Sequence, residues 1–443
     1  MLHFGSEYQQ MATRFACDFH VHSRYTRGAS AEMTLDQMAH FAKLKGLSLL
    51  GTGDFTHPAW FLELKEMLRP ATVEGLYEYK GILFVLTAEV SSFFSQKGRG
   101  RKMHNLIFAP SLDAALRIRQ RLRRYGSLSL DGVPALSIAS HDLLKLLKDL
   151  SPETFLVPAH IWNPLNSLLS AKAGFNSLEE CFGEDAVEVP ILETGLASDP
   201  PMAWRLSNLQ GKTLLSGSDA RDPRSLGREA TVFNGPLSFG ELRDTLHYRD
   251  PQRLRHTLEY YPQASKYHYN GHRSCRFSLP PQESQSVLGA ERPPAAGRES
   301  SSPINLCPVC GRPLSVGVLQ RVEDLADRPA QETPTGAIPF IHLMPLREIL
   351  SQVLHLQSDA SLVEKEALRL VQAFGNELNV LLDVPLSYLE KATSPAVVQA
   401  IAKVRSGKVR LAPGYDGRSG QILIPREQPE QTPRAPVQIS LFS

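Results

Sequence analysis

The sequence predicts an α/β fold in which parallel strands and crossover helices close into a barrel over residues 1–250. Strand-like apolar runs alternate with amphipathic helix-like runs, the pattern of a parallel sheet with crossover helices. So many units within one domain's length favour a closed barrel over an open sheet. Imidazoles and carboxylates also recur at or just past the ends of the apolar runs. In a barrel of parallel strands those ends gather on one face, where chemistry is done.

Taken in order, "FACDFHVHS" (15–23) is a buried strand, "TLDQMAHFAKLKG" a helix and "LSLLGTGDFT" the next strand. There follow "ILFVLTAEVSSFF", "HNLIFAPS", a helix over 112–125, "FLVPAHIW", "VEVPILETG" and "TLLSGSDA". The strand-end residues are His20, His22, Asp54, His57, Glu89, His104, His160 and Asp219. Residues i and i+2 of a strand share a face, so the His20 and His22 imidazoles point the same way. Alone they fit buried, hydrogen-bonded core histidines equally well. In company with the other strand-end residues they point to a metal site. His141, in "ASHDLL", stands at a helix start and reads as structural.

A chain of 443 residues exceeds one ordinary core, so two or three domains are expected. The net charge of +2 argues against a global polycation, and any nucleic-acid surface must be local. "KGRGRK" (97–102) and "RIRQRLRRYG" (117–126) are the candidates; each also fits a solvated loop or helix face. No apolar run approaches the roughly 20 residues of a membrane span, and no export signal opens the chain. A soluble, cytoplasmic protein without a membrane partner is expected. Cys17 and Cys181, two of five cysteines, lie in apolar surroundings and read as reduced core thiols.

Residues 280–303, rich in Pro, Ser and charge, read as a disordered insertion. From 340 to 404 the pattern is helical, and "GKVRLAPGYDGRSGQILI" reads as a short hairpin. The expected division is the barrel (1–250), a second, smaller element (251–330), a mainly helical region (331–425) and a flexible tail (426–443).

Imidazole with carboxylate suits zinc or manganese, and carboxylate oxygens suit magnesium. Glu89 has two oxygens and can bridge two ions. Such a cluster can lower the pKa of water and clamp both sides of a displacement at phosphorus. "DFHVHS", "GTGDFTHP", "TAEVS", "PAHIW" and "GSDA", in this order, resemble the PHP (polymerase and histidinol phosphatase) family. The resemblance implies a distorted barrel of seven strands and helices. It also implies up to three metal ions. It would assign His20, His22, Glu89 and Asp219 to one ion and Glu89, His104 and His160 to a second, with His57 and its neighbour Asp54 in the region of a third. Where the family has a histidine after the last aspartate, this chain has Arg221 in "GSDARDP". Guanidinium stays protonated and cannot ligate a metal. Two ions are therefore expected. Arg221 would instead contact the scissile phosphate, or face solvent. Asp219, Glu89 and Arg221 are the expected catalytic residues.

His272-x2-Cys275 and Cys307-x2-Cys310 have the spacing of a tetrahedral structural zinc, with "CPVCG" as the knuckle. The long gap between the pairs is an insertion, since loop-closure cost rises slowly with length. His268 is the weaker competitor for the His272 role. "KYHYNGHRSC", "CPVCGRPLSVGVLQRVEDLADR", "FGNELNVLLDVPLSYL" and "PGYDGRSG" resemble endonuclease Q over nearly the whole chain. That resemblance implies nicking of DNA on the 5′ side of uracil, hypoxanthine, xanthine and abasic sites, leaving a 3′-hydroxyl and a 5′-phosphate. The nucleotide would be turned out of the helix. Trp60 and Phe61 read as core aromatics, with base stacking as the alternative.

The chain ends "APVQISLFS", and Gln438-x-x-Leu441-Phe442 after a Pro-rich linker resembles the peptide that binds the DNA sliding clamp. Ile439, Leu441 and Phe442 would be the apolar anchors and Gln438 the polar contact, pointing to a bacterial, nucleoid-associated enzyme. A lesion-specific endonuclease is the leading reading. A PHP small-molecule phosphatase needs neither the zinc element nor the tail. A DNA- or clamp-bound adaptor with a decayed site has only Arg221 in its support.

Overall fold

A computed structural model describes residues 14–280 and 306–425. The tail with Gln438, Ile439, Leu441 and Phe442 lies outside the described residues, as does the proposed insertion beyond Pro280. The chain builds a mixed α/β fold around an eleven-stranded sheet. Strand β1 (Phe15–Asp18) is wholly buried, which explains its unbroken apolar reading. Helix α1 (Leu35–Lys45) starts where the Thr34 side chain accepts from the Gln37 N–H, and it buries Leu35, Met38, Ala39 and Ala42. That spacing of three and four residues is one helix face. Strand β2 (Leu49–Gly51) then pairs parallel with β1.

The expected all-parallel sheet is not what the chain forms. Strand β3 (Ile82–Gln96) pairs parallel with β2 but antiparallel with β4 (Arg99–Ala109), over eleven residue pairs. The cause lies in the link, Lys97-Gly98, with φ of 49° and 72°. A two-residue turn with both φ positive suits the twist of a hairpin and leaves no room for a crossover helix. Strand β5 (Phe155–Pro158) continues antiparallel from β4. Strands β6 (Ile191–Glu193) and β7 (Thr213–Leu215) form a separate parallel pair. Strand β8 (Ala230–Phe233) lies antiparallel between β1 and β9 (Leu254–Glu259), and β10 (Phe340–His342) lies parallel on β9.

The 340–404 region is helical after β10, with helices at Leu346–Leu354, Ser361–Phe374, Leu386–Ala392 and Pro395–Arg405. The expected hairpin is present as Arg410–Ala412 paired with Gln421–Leu423. One buried cluster runs from Leu47 and Leu226 of the sheet region into Leu346, Val380 and Leu381. At this junction Lys45 Nζ lies 2.9 Å from the Glu377 carboxylate, with both side chains nearly buried. Glu377 also accepts the Leu346 N–H at 3.1 Å. Removing one member of a buried ion pair leaves an uncompensated charge, at a cost of about 3–5 kcal/mol. Lys45→Met should therefore lower unfolding free energy by about that amount in urea titration. Adding Glu377→Gln should recover part of the loss, because the amide still accepts the Leu346 N–H.

Candidate metal centre

Past Asp18 the chain stays extended, and Val21 bridges Ala220 while the His22 N–H donates to the Ala220 carbonyl at 3.0 Å. This contact sets Asp219 beside the two histidines. His20 and His22 are fully buried, with ring centroids 5.3 Å apart. Strand β3 brings Glu89, β4 brings His104, and the chain just past β5 brings His160.

Glu89 is the hinge of the arrangement. Its Oε1 lies 2.7 Å from His104 Nδ1 and 2.9 Å from His160 Nε2. Its Oε2 lies 3.6 Å from His20 Nε2 and 3.5 Å from His22 Nε2. Asp219 Oδ1 closes on His22 Nε2 at 2.8 Å and lies 4.0 Å from His20 Nε2. His20, His22 and Glu89 form one group of metal-ligand type, and Glu89, His104 and His160 a second. A single carboxylate thus faces two imidazole pairs, one with each oxygen. Among the described residues His20 Nε2 and Glu89 Oε2 are buried and find no hydrogen-bond partner. Orphaned polar atoms in the interior are costly, and a cation between them would satisfy both. The residues fit divalent ions.

The far nitrogens are already committed. His20 Nδ1 lies 2.8–2.9 Å from both Glu193 oxygens, and His22 Nδ1 lies 3.1 Å from Asp54 Oδ1. Carboxylates behind the imidazoles fix the rings and leave Nε2 of each free to ligate. Asp54 also accepts from the Ser23 and Thr26 hydroxyls, each at 2.6 Å. Burial pushes the His22 imidazole down, but Asp54 and Asp219 outweigh it and raise its pKa to about 9. His20 is likewise held well above its ordinary value, by Glu193 and Glu89 against burial. Without an ion, protons occupy these imidazoles; a divalent cation competes for the same lone pairs.

Asp54, His160 and Asp219 have φ of 48°, 32° and 47°, a left-handed backbone that non-glycine residues seldom adopt. Such strain persists only where the surroundings enforce it, and here it turns side chains inward at strand ends. Gly217 stands where a Cβ would meet the His20 Cβ at 2.8 Å and Glu193 Oε1 at 2.9 Å. No larger residue fits there without moving the contact between those two.

Of the residues the sequence suggested, His20, His22, Glu89, His104, His160 and Asp219 converge. Asp54 and His57 do not join the ligand groups. Asp54 sits behind His22. His57 Nδ1 accepts the Trp60 N–H at the start of the helix Pro58–Met67, and its ring stacks on Tyr25 at 4.4 Å. Trp60 and Phe61 are buried, which excludes them as stacking platforms. Trp60 Nε1–H donates to the Gly53 carbonyl, and the Arg119 guanidinium covers Phe61. Arg221 Nε lies 3.5 Å from Asp219 Oδ1, and its Nη1 donates to the Arg27 carbonyl. Glu193 went unnoticed, although it too ends an apolar run, in "VEVPILETG". Asp18 was also missed. It accepts the Ser218 and Gly227 N–H groups, tying β1 to the loop that carries Asp219.

A second group lies elsewhere: His272, Cys275, Cys307 and Cys310 offer ligand atoms within 4.8 Å of one another. The Cys307-to-Cys310 turn is closed by the Gly311 N–H on the Cys307 carbonyl. Against burial, backbone N–H groups and the His272 ring pull the Cys307 thiol down to about 7. His268 is buried and takes no part in this group. Cys17 and Cys181 are free, buried thiols, both pushed up chiefly by burial.

Glu193→Gln should weaken metal binding to the Glu89 centre by about 10- to 100-fold, since an amide orients His20 without its charge. Metal titration by calorimetry, with circular dichroism as the folding control, measures this.

Residues 345–408 match the family described as the MJ0043 C-terminal domain. An uncharacterized protein of Bacillus subtilis, YqxK, is 25% identical over 423 residues, covering 91% of this chain and 98% of its own. The crystal structure of the lesion-specific endonuclease PfuEndoQ from Pyrococcus furiosus superposes with a TM-score of 0.80 at 29% identity, covering 94% of this chain and 96% of that one. Endonuclease Q in complex with a 27-mer duplex substrate bearing an abasic lesion at the active site gives 0.79 at 29% identity, covering 94% and 97%. Among the described residues no helix is long and apolar enough to cross a membrane. Along nearly its whole length the chain is thus similar in fold to endonuclease Q.

Proposed function

We propose that the chain is a DNA repair endonuclease that cuts the phosphodiester on the 5′ side of a deaminated base or abasic site. The observation that carries this reading is the Glu89 carboxylate facing two imidazole pairs, in a chain similar throughout to an endonuclease solved on abasic DNA. His20, His22, Glu89 and Asp219 would hold one divalent ion, and Glu89, His104 and His160 a second. When bound, such ions supply Lewis acidity at phosphorus and lower the pKa of water. Water adds to phosphorus, the bond to the 3′-oxygen breaks, and that oxygen leaves as a hydroxyl while the phosphate stays on the 5′ side.

The protein's part is preorganisation. Glu193 and Asp54 hold His20 and His22 in the tautomer that presents Nε2. Arg221 is 37% exposed beside Asp219 and brings a fixed positive charge to the rim, where a phosphate would bind. The fold around this centre is read as a distorted PHP barrel at 1–250, followed by a zinc element at 251–330 and a DNA-gripping region at 331–425. Uracil, hypoxanthine and xanthine are the proposed lesions, and magnesium, manganese or zinc the proposed ions. A clamp-binding role for the tail remains part of this proposal.

A duplex with one uracil, labelled at its 5′ end, tests the reading with magnesium or manganese. A single nick 5′ of the lesion is expected, with undamaged duplex intact. Asp219→Ala should lower the rate about 10²-fold or more. A protein with its metals bound that cuts no lesion duplex, yet hydrolyses small phosphate esters, would overturn the reading in favour of a phosphatase. We assign zinc to His272, Cys275, Cys307 and Cys310. Cys307→Ser should then lose one equivalent of zinc by elemental analysis and unfold at lower denaturant, because binding energy at such sites is folding energy.

A further inference from the structure

The β3–β4 hairpin carries Glu89 and His104 at its root and then runs on to an exposed tip at Lys97-Gly98-Arg99. Its register pairs Glu89 with Leu106, Ser91 with His104 and Phe93 with Lys102. Alternation puts Glu89, Ser91 and Phe93 on one face, together with His104 and Lys102 across from them. The Ser91 N–H goes to the Pro134 carbonyl, and those of His104 and Lys102 go to Asn166 and Ala173. These are therefore the pairs that do not bond to each other through the backbone, where side chains approach closest. Lys102 stands two residues from His104 on the same strand face.

The opposite face is splinted. Phe94 stacks on Phe175, the Arg101 guanidinium lies 4.3 Å from the Phe175 ring centroid and bonds Glu180, and Gln96 Nε2 donates to the Glu180 carbonyl. On the front face, among the described residues, no ring or guanidinium stacks on Phe93. Phe93 is 55% exposed, a large aromatic in an otherwise polar row. Between it and the candidate ligands, the Ser91 Oγ is buried and finds no partner among the described residues. At about 3.4 Å per residue, Phe93 lies about 7 Å beyond Ser91 and its partner His104, and about 14 Å beyond Glu89, along the same face.

We infer that this face is a seat for the DNA strand leading away from the cut: Phe93 stacks on a base, Lys102 binds a phosphate, and Ser91 donates to a phosphate oxygen nearer the ions. The inference rests on the endonuclease reading and names the substrate contacts of that site. An aromatic face accepts any base, so the seat grips without reading sequence, and the splinted hairpin holds it at fixed distance from the chemistry. Lys97 and Arg99 extend the positive charge outward along the same arm.

The experiment compares wild-type protein, Phe93→Ala, Phe93→Trp and Lys102→Gln on a labelled duplex with one abasic site, measuring KM and kcat over a range of salt. Phe93→Ala should raise KM about tenfold or more, the size of one lost base stack, and Phe93→Trp should stay within about twofold of wild type. Lys102→Gln should reduce the slope of log affinity against log salt by about 1. The added tryptophan emission of Phe93→Trp should be quenched when DNA binds. A wild-type KM in Phe93→Ala, or no quenching in Phe93→Trp, overturns the seat. Should wild-type protein leave the abasic duplex whole, the endonuclease reading falls and the seat with it.

Discussion

Glu89 is the constraint on which the rest depends. A carboxylate with 1% exposure cannot stand alone in a protein interior, and its two oxygens need four imidazoles delivered from three directions. Strand β2 must lie between β1 and β3, β3 must turn straight back as β4, and β5 must close on β4. The mixed sheet meets these demands at once. Burial penalises the Glu89 charge, yet His104 and His20 hold its pKa well below the ordinary carboxylate range. The centre is built around negative charge awaiting cations.

The surroundings of this centre carry its precision. Asp54 and Glu193 are buried and do no ligation by geometry, but each fixes one imidazole through its far nitrogen. The left-handed backbone at Asp54, His160 and Asp219 is a local cost, offset by the packing that surrounds it. Strand ends tolerate such turns, whereas strand interiors do not, and this is why the chemistry collects there. The same hairpin that supplies Glu89 and His104 leaves the fold with an aromatic and basic face, so chemistry and substrate grip share one rigid element.

The helices beyond β10 belong to the same buried cluster as the sheet, and Lys45 with Glu377 pins the junction. Because β9 and β10 are neighbours in the central sheet, residues 254–259 and 340–342 are tied together whatever lies between them.

By itself the sequence marked six of the chemical groups that meet. His20 and His22 share a face by strand alternation, and strand-end position marked Glu89, His104, His160 and Asp219, because both signals are local along the chain. The zinc-type quartet was legible from spacing alone. Tertiary structure decided the rest. The antiparallel turn from β3 to β4 hinged on the positive φ of two residues, which a reading of apolar runs overlooks. Asp54 stands among the candidate ligands in the sequence and lies against the far nitrogen of His22 in the structure, since depth within a site depends on which strands neighbour each other. Glu193 was as visible as Glu89, yet its role appears only when β6 comes to lie behind His20. Residue type is inherited from the chain, but whether a carboxylate faces an ion or an imidazole is set by long-range pairing, and no local pattern encodes that.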